Sequence, residues 1–156
     1  MRIRLADEQA TNALGRALFE ALPPDIRGFT ILLEGELGAG KSTLARALIR
    51  AAGHTGAVPS PTYTLIEPYD LERGKLYHVD LYRVIDEEEL QFIGFNDLED
   101  GCRLVEWPDR APLLAGEADL RVTLQYAGTG REASLNGLSE RGRQLADAVQ
   151  ASYRSH

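Results

Sequence analysis

A glycine-rich segment at residues 35–42 carries the clearest chemical signal in the chain. It reads Gly35-Glu36-Leu37-Gly38-Ala39-Gly40-Lys41-Ser42 and matches the pattern G-x-x-x-x-G-K-[ST] at every fixed position. Glycines let the backbone curl so that successive N–H groups point inward toward anionic phosphate oxygens. In such a loop the lysine reaches the outer phosphates and the serine hydroxyl binds Mg²⁺. The segment therefore predicts binding and hydrolysis of ATP with Mg²⁺.

The flanking residues have the patterns that such a loop requires. Residues 28–34 are mostly apolar and of strand length, which predicts a strand buried on both faces, as in a parallel sheet. Residues 41–52 predict a helix that ends at Gly53. Its inner face would carry Leu44, Ala45, Leu48 and Ile49. A strand before the loop and a helix after it argue against the alternative, a glycine-rich turn with an incidental lysine.

Two acidic residues are candidates for holding the metal. A phosphate-binding loop of this kind needs a carboxylate near Mg²⁺, usually at the end of a neighbouring core strand. Glu106 ends a short apolar stretch, and Asp80 lies in an alternating strand at residues 75–83. Since residues two apart on a strand share a face, His78, Asp80 and Tyr82 would point to one side. The local pattern leaves open that either carboxylate is a surface or capping group and that His78 is structural.

The remaining pattern predicts helices and antiparallel hairpins around this core, so we expect an α/β three-layer P-loop NTPase-like domain with a mixed central sheet. The other predicted elements are an edge strand at 2–5, a helix at 8–22 capped by Asp7, a hairpin of strands 62–69 and 75–83 around a longer loop at 70–74, the acidic first turn of a short helix at 86–89, a strand at 102–107, a second hairpin of strands 120–126 and 132–138, and a helix from 139 to about 152.

Composition limits the class of protein. With 156 residues, 44% of them hydrophobic and 26% charged, the chain predicts a single globular domain over residues 1–156. It contains one cysteine, Cys102, and no signal-peptide-like or membrane-spanning run, which favours the cytoplasm and no membrane partner. The net charge of −7 disfavours a stand-alone nucleic-acid binder but not a subunit of a complex that holds RNA.

Several motifs together carry a more specific resemblance than the loop does alone. They are residues 35–43, Ser60-Pro61-Thr62-Tyr63-Thr64, His78-Val79-Asp80-Leu81-Tyr82-Arg83, Ile93-Gly94 and Val105-Glu106-Trp107-Pro108. In this order and with these gaps, residues 7–108 resemble the TsaE (YjeE) family. That family is the bacterial ATPase subunit of the system that installs threonylcarbamoyl on adenosine 37 of tRNAs reading codons that begin with A.

The resemblance implies a slow Mg²⁺-dependent ATPase that is stimulated when it docks on the threonylcarbamoyl transferase subunits TsaD and TsaB. Hydrolysis would reset that complex after a turnover, so tRNA would be met only indirectly, through the complex.

The resemblance also implies roles for individual residues. Lys41, Asp80 and Glu106 would be catalytic. Ser42 and Glu106 would hold Mg²⁺, and Asp80 would be a second metal partner or would orient the attacking water. Residues 60–62 would sense the γ-phosphate, and Trp107 would lie beside the site or serve as a core aromatic. The nucleotide would contact Thr11, Glu36, Leu37, Gly38, Ala39, Gly40, Lys41, Ser42, Thr43, Thr62, Trp107 and Arg131. Glu36 departs from the Asp or Asn more common in the family, at a position that contributes mainly backbone.

Two other functions compete with this interpretation. A small-molecule kinase would use the same loop and would add a substrate pocket and an arginine-bearing lid, for which Arg73, Arg83 and Arg131 are the candidate arginines. A non-catalytic nucleotide sensor would bind ATP only to control a partner. Phosphorylated products would reveal a kinase, and single-turnover hydrolysis would separate an ATPase from a sensor.

Overall fold

The strands of the protein form one seven-stranded sheet in the computed structural model, which describes residues 1–36, 38–59, 61, 65–92 and 94–154. In chain order they are β1 (Arg2–Leu5), β2 (Thr30–Gly35), β3 (Ile66–Leu71), β4 (Gly74–Asp80), β5 (Gly101–Glu106), β6 (Leu120–Ala127) and β7 (Gly130–Gly137). Their order across the sheet is β1-β7-β6-β2-β5-β4-β3. Neighbours from β6 to β4 pair in parallel, whereas β1, β7 and β3 pair antiparallel. The predicted mixed sheet with hairpins is therefore confirmed.

Helices cover both faces of this sheet. In the described part of the chain they are α1 (Glu8–Ala21), α2 (Lys41–Ala51), α3 (Glu89–Phe92), α4 (Glu140–Arg154) and 3-10 segments at Phe95–Leu98, Pro108–Arg110 and Pro112–Gly116. Leucines of α1, α2 and α4 pack in one cluster with Ile31 and Leu33 of β2. Leu32 faces the other way and packs with residues of the 3-10 segments. This alternation along β2 produces the three-layer α/β architecture that the sequence predicts.

The candidate residues meet at the carboxyl ends of the central strands, next to the start of α2. β2, β5 and β4 are parallel neighbours, so their carboxyl ends lie side by side. The register pairs Glu106 with Leu33 on one side and with Asp80 on the other. The predicted inner face of α2 is buried against the sheet, namely Leu44, Ala45, Leu48 and Ile49. Strand pairing and helix packing thus bring both acids to the start of α2.

The predicted five-residue loop at 70–74 is wrong. Leu71 pairs with Gly74, so that only Glu72 and Arg73 form the turn. Gly74 has φ 132°, a conformation that suits glycine. The Arg73 guanidinium donates to the carbonyl oxygens of Phe19, Leu22 and Pro23 at 3.1, 3.3 and 2.7 Å. The loop of the hairpin is therefore shorter than its polar sequence indicates, because Arg73 at its tip is anchored to the end of α1.

Two further boundaries differ from the prediction. β4 ends at Asp80, because the carboxylate of Asp80 accepts a hydrogen bond from the Tyr82 amide at 2.9 Å and turns the chain. The short helix begins at Glu89, and Asp86 instead accepts a hydrogen bond from the Glu88 amide ahead of it. Thr62 to Thr64, the start of the predicted strand 62–69, lie outside the described residues.

The chain has no intramolecular disulfide, because Cys102 is its only cysteine. Cys102 is a free, buried thiol, and burial raises its pKa to about 12. None of the helices traced in the described ranges is both long enough and apolar enough to cross a membrane.

Tight packing between α1 and α2 holds the loop helix in place, and Gly15 is its closest point. A Cβ at Gly15 would lie 2.5 Å from Ala47 Cβ and 2.9 Å from the Leu48 backbone nitrogen. We therefore expect Gly15→Ala to lower the free energy of unfolding by about 1–3 kcal/mol in urea titrations, as over-packing usually does.

Gly116 provides the matched control, since a Cβ there meets nothing within 4 Å. Gly116→Ala should leave the unfolding midpoint nearly unchanged, and adding Ala47→Gly to Gly15→Ala should recover part of the loss. Equal midpoints for Gly15→Ala and the wild type would contradict this description of the helix interface.

Candidate nucleotide-binding site

The loop between β2 and α2 has the backbone shape of an anion cradle. Gly40 precedes α2 with φ 109°, and no side chain of the described residues caps the helix there. Gly38 has φ 83°, and a Cβ there would lie 2.7 Å from the Tyr126 hydroxyl oxygen. A helix N-terminus that presents backbone N–H groups and the positive end of its dipole attracts phosphate. The positive φ angles of Gly38 and Gly40 thus give the loop a tight bend that other residues rarely adopt.

Lys41 points its ammonium group into this loop. Its side chain is only 5% exposed, and Nζ donates hydrogen bonds to the carbonyl oxygens of Gly35 and Glu36, the latter at 3.2 Å. Nζ also lies 4.0 Å from the centroid of the Trp107 ring, within range of a cation–π interaction. Burial lowers the pKa of Lys41, and the nearby carboxylates of Glu106 and Asp80 oppose that shift. The loop therefore holds a buried cation beside two acids.

Ser42, Glu106 and Asp80, the three predicted metal residues, lie together. The Ser42 hydroxyl donates to Glu106 Oε1 at 3.0 Å, with Oε2 at 3.3 Å. Glu106 and Asp80 are 3% and 4% exposed and occupy paired positions on the adjacent strands β5 and β4. All three side chains offer oxygen atoms as metal ligands, and Mg²⁺ is usually bound by one or two carboxylates together with substrate phosphates. The residues therefore fit this ion. Within the described residues, no group of three or more His, Cys, Asp or Glu side chains forms a metal site by itself.

A cavity of about 300 Å³ opens above these groups. It is lined by Gly38, Gly40, Lys41, Ser42, Thr43, Asp80, Tyr82, Glu106 and Trp107. Trp107 is half-buried beside Lys41, so the structure places it at the predicted site as well as against the core. The cavity thus combines the loop, a buried cation and both acids.

A second cavity of about 260 Å³ adjoins the first across the loop. It contains Thr11 and Arg131, the two more distant residues that the resemblance indicated. Thr11 is buried at the start of α1. Arg131 donates to the Gly38 carbonyl oxygen at 3.3 Å, and its guanidinium lies 4.1 Å from the Tyr126 ring centroid. Gly38, Gly40 and Thr43 line both cavities, which makes them neighbouring compartments of one site.

The other predicted contacts are either peripheral or outside the described chain. The Glu36 side chain is exposed, while its carbonyl oxygen accepts from Lys41. Ala39 is buried and lines the second cavity. Leu37, Ser60 and Thr62 lie outside the described residues.

Sequence reasoning missed three side chains at the site. Tyr82 lines the first cavity and packs against Trp107 with ring centroids 4.9 Å apart. Tyr126 supports the loop at Gly38. His78, for which the local pattern leaves a structural role open, has its Nε2 2.5 Å from Glu106 Oε2. The shared strand face of His78 and Asp80 was the signal that could have indicated this contact.

Comparison with known proteins decides the family. The model of the family described as "Threonylcarbamoyl adenosine biosynthesis protein TsaE" matches residues 5–133. This protein belongs to the TsaE family. The match extends past Pro108, where the sequence resemblance ended, and includes Arg131 on β7. The second cavity therefore lies within the part of the chain that the TsaE family shares.

Individual TsaE relatives cover most of the chain. The protein called tRNA threonylcarbamoyladenosine biosynthesis protein TsaE in Haemophilus influenzae is 39% identical over 124 residues, 78% of each chain. The protein of the same name in Bacillus subtilis is 30% identical over 152 residues, which are 96% of this chain and 93% of that one. The crystal structure of Bacillus subtilis YdiB superposes with a TM-score of 0.76 at 26% identity, covering 98% of this chain and 95% of the other.

Proposed function

We propose that this TsaE-family protein binds ATP and Mg²⁺ at the loop and hydrolyses ATP as part of tRNA threonylcarbamoyladenosine biosynthesis. The observation that carries the proposal is the Ser42–Glu106 hydrogen bond in a cavity shared with Lys41 and Asp80. This is the set of groups that phosphoryl transfer requires, namely a phosphate cradle, a cation, a metal-binding hydroxyl and an acid. The names of the relatives supply the process in which hydrolysis would be used.

Each group would act on the nucleotide in a distinct way. Backbone N–H groups of the loop and of the first turn of α2 would bind phosphate oxygens, and Lys41 would move from its carbonyl partners to the outer phosphates. Ser42 and Glu106 would hold Mg²⁺, which when bound neutralises charge on the phosphates. Asp80 would either help to hold the metal or orient the attacking water. The nucleoside would extend toward Thr11 and Arg131 in the second cavity.

The position of Arg73, one of the three lid candidates, does not support the kinase alternative. The lid candidate Arg73 is engaged with carbonyl oxygens at the C-terminal end of α1. The candidate site lies at the other end of α1, where Thr11 lines the second cavity. Ala21, the last residue of α1, is ten residues beyond Thr11, roughly 15 Å along the helix, so the Arg73 turn is not placed to close over the loop.

The wider assignments extend the same proposal. The chain would act as one P-loop ATPase domain over residues 1–156, in the cytoplasm. It would work on the transferase subunits TsaD and TsaB rather than on the base, and tRNA would be reached only through that complex. The net charge of −7 agrees with a subunit that does not grip RNA by itself.

Reconstitution tests this function. Purified protein, ATP, Mg²⁺, TsaD, TsaB, an activated threonylcarbamoyl donor and unmodified tRNA would be mixed, and modified adenosine and inorganic phosphate counted per transferase complex. We expect many modifications per complex with the wild type and about one with Lys41→Ala. Equal yields with and without the protein would contradict the proposal, and full turnover with a non-hydrolysable ATP analogue would instead indicate a sensor.

A further inference from the structure

We propose that His78 is a positioning residue that fixes the Glu106 carboxylate for Mg²⁺, an inference that rests on the proposed function. The His78 Nε2 and Glu106 Oε2 atoms are 2.5 Å apart, and the two side chains are 2% and 3% exposed. A short hydrogen bond between two buried groups restricts the rotamers of both. The orientation of the Glu106 carboxylate is therefore fixed by His78, a residue that does not line the cavity.

Strand pairing makes this contact possible. His78 and Asp80 lie two residues apart on β4 and so share a face, and Asp80 pairs with Glu106 of the parallel strand β5. His78 is thus the diagonal neighbour of Glu106, one step further from the end of the sheet. It can reach the Glu106 carboxylate from the sheet, while Ser42 of α2 contacts the same carboxylate from the helix.

The two oxygens of Glu106 are held differently, since Oε2 lies near both His78 Nε2 and the Ser42 hydroxyl, at 2.5 and 3.3 Å. Oε2 is the oxygen bound to His78, and Oε1 is the nearer of the two to the Ser42 hydroxyl, at 3.0 Å. A partial rotation about the last side-chain bond would lengthen the contacts with His78 and with Ser42 together. His78 thus presents Oε1 toward Ser42 before any ligand arrives. This arrangement matches the supporting hydrogen bonds that orient metal-binding carboxylates in other proteins.

The proposed role requires one particular tautomer of His78. A carboxylate that binds Mg²⁺ is ionised and only accepts hydrogen bonds, so this role needs the proton on Nε2, which lies against Glu106. The other ring nitrogen, Nδ1, is buried and has no hydrogen-bond partner among the described residues. Burying a polar nitrogen without a partner is unfavourable, and an apolar side chain would avoid that cost. The bond to Glu106 is the contact that distinguishes histidine from such a side chain here.

The test separates positioning from simple support of the fold. Binding of a non-hydrolysable ATP analogue would be titrated by calorimetry, once with saturating Mg²⁺ and once with EDTA. His78→Leu should reduce the Mg²⁺-dependent gain in affinity by about 10–100-fold, the usual effect of losing a partner of a metal ligand. Its affinity in EDTA should stay within about twofold of the wild type, since the loop is untouched. His78→Gln, which keeps an N–H donor, should recover most of the gain.

Three further variants calibrate this result. Glu106→Gln marks the complete loss of the metal ligand. Tyr77→Phe removes a hydrogen bond from the opposite face of the same strand, the one from Tyr77 Oη to Asp100 Oδ1 at 2.7 Å, and should bind like the wild type. His78→Asn keeps a polar side chain that is too short to reach Glu106. If His78→Leu does not fold, the comparison of His78→Gln with His78→Asn replaces it.

The possible outcomes discriminate clearly. The inference fails if His78→Leu keeps the full Mg²⁺-dependent gain, if it loses affinity equally with and without Mg²⁺, or if His78→Gln and His78→Asn behave alike. A wild-type protein that binds no nucleotide under either condition would instead refute the proposed function itself.

Discussion

Lys41→Ala should weaken ATP binding by about 10–100-fold, and hydrolysis should fall further. A hydrogen bond to a charged group contributes about 1.5–3 kcal/mol, and each 1.4 kcal/mol is about a factor of ten in affinity. Lys41 is the buried cation of the loop, 5% exposed and already directed into it. Its interaction grows as charge develops on the phosphates, so the effect on turnover exceeds the effect on binding. Calorimetry and phosphate release measure the two quantities.

The matched control is Lys75→Ala. Lys75 is half exposed on β4, where Nζ forms an ion pair with Asp100 at 3.3 Å. Such a surface pair contributes little to stability, and neither residue lines the candidate cavities. Lys75→Ala should therefore bind and hydrolyse ATP like the wild type. Equal affinities for Lys41→Ala and Lys75→Ala would show that the loop does not hold the phosphates.

Asp80→Asn should cut hydrolysis by about 100–1,000-fold while changing ATP affinity by less than about fivefold. Groups that act mainly in the transition state have effects of this size on turnover. Asparagine keeps the shape of the side chain and its acceptor for the Tyr82 amide, so the turn after β4 should persist. The measurement is single-turnover hydrolysis in the presence of TsaD and TsaB, with binding titrated in parallel.

Asp100→Asn is the control for this substitution. Asp100 accepts from the Tyr77 hydroxyl and pairs with Lys75 on the surface. The substitution should leave hydrolysis unchanged, although replacing the charged acceptor, which raises the pKa of Tyr77 to about 12, by a neutral one should bring that pKa back toward its ordinary value. A full rate for Asp80→Asn with the partners present would remove Asp80 from the catalytic set.

The parts of the fold with local signals could be predicted from the sequence. The apolar run of β2 and the spacing of buried residues in α2 identify a parallel core strand and the helix that packs on it. The loop motif then fixes how the two are joined. Because these elements are specified by neighbouring residues, their bounds differ from prediction by only one or two positions.

The parts that depend on distant pairing could not be predicted locally. Arg131 reaches the start of α1 because β1 pairs with β7 and places Leu5 opposite Arg131. His78 meets Glu106 because β4 and β5 run parallel in one particular register. The tight turn at Arg73 depends on carbonyl oxygens that lie more than fifty positions earlier in the chain. The shared strand face of His78 and Asp80 is visible within one segment, but it does not show which strand lies alongside, and the contacts of Arg131 and Arg73 have no local signature.

The most direct measurement is a crystal structure of the protein with Mg²⁺ and a non-hydrolysable ATP analogue. We expect the triphosphate in the loop at residues 35–42, with Lys41 turned from the Gly35 carbonyl oxygen to the outer phosphates. We also expect the metal between the Ser42 hydroxyl and Glu106. An analogue bound elsewhere, or a loop that stays closed on Lys41 at saturating ligand, would contradict ATP binding at this loop.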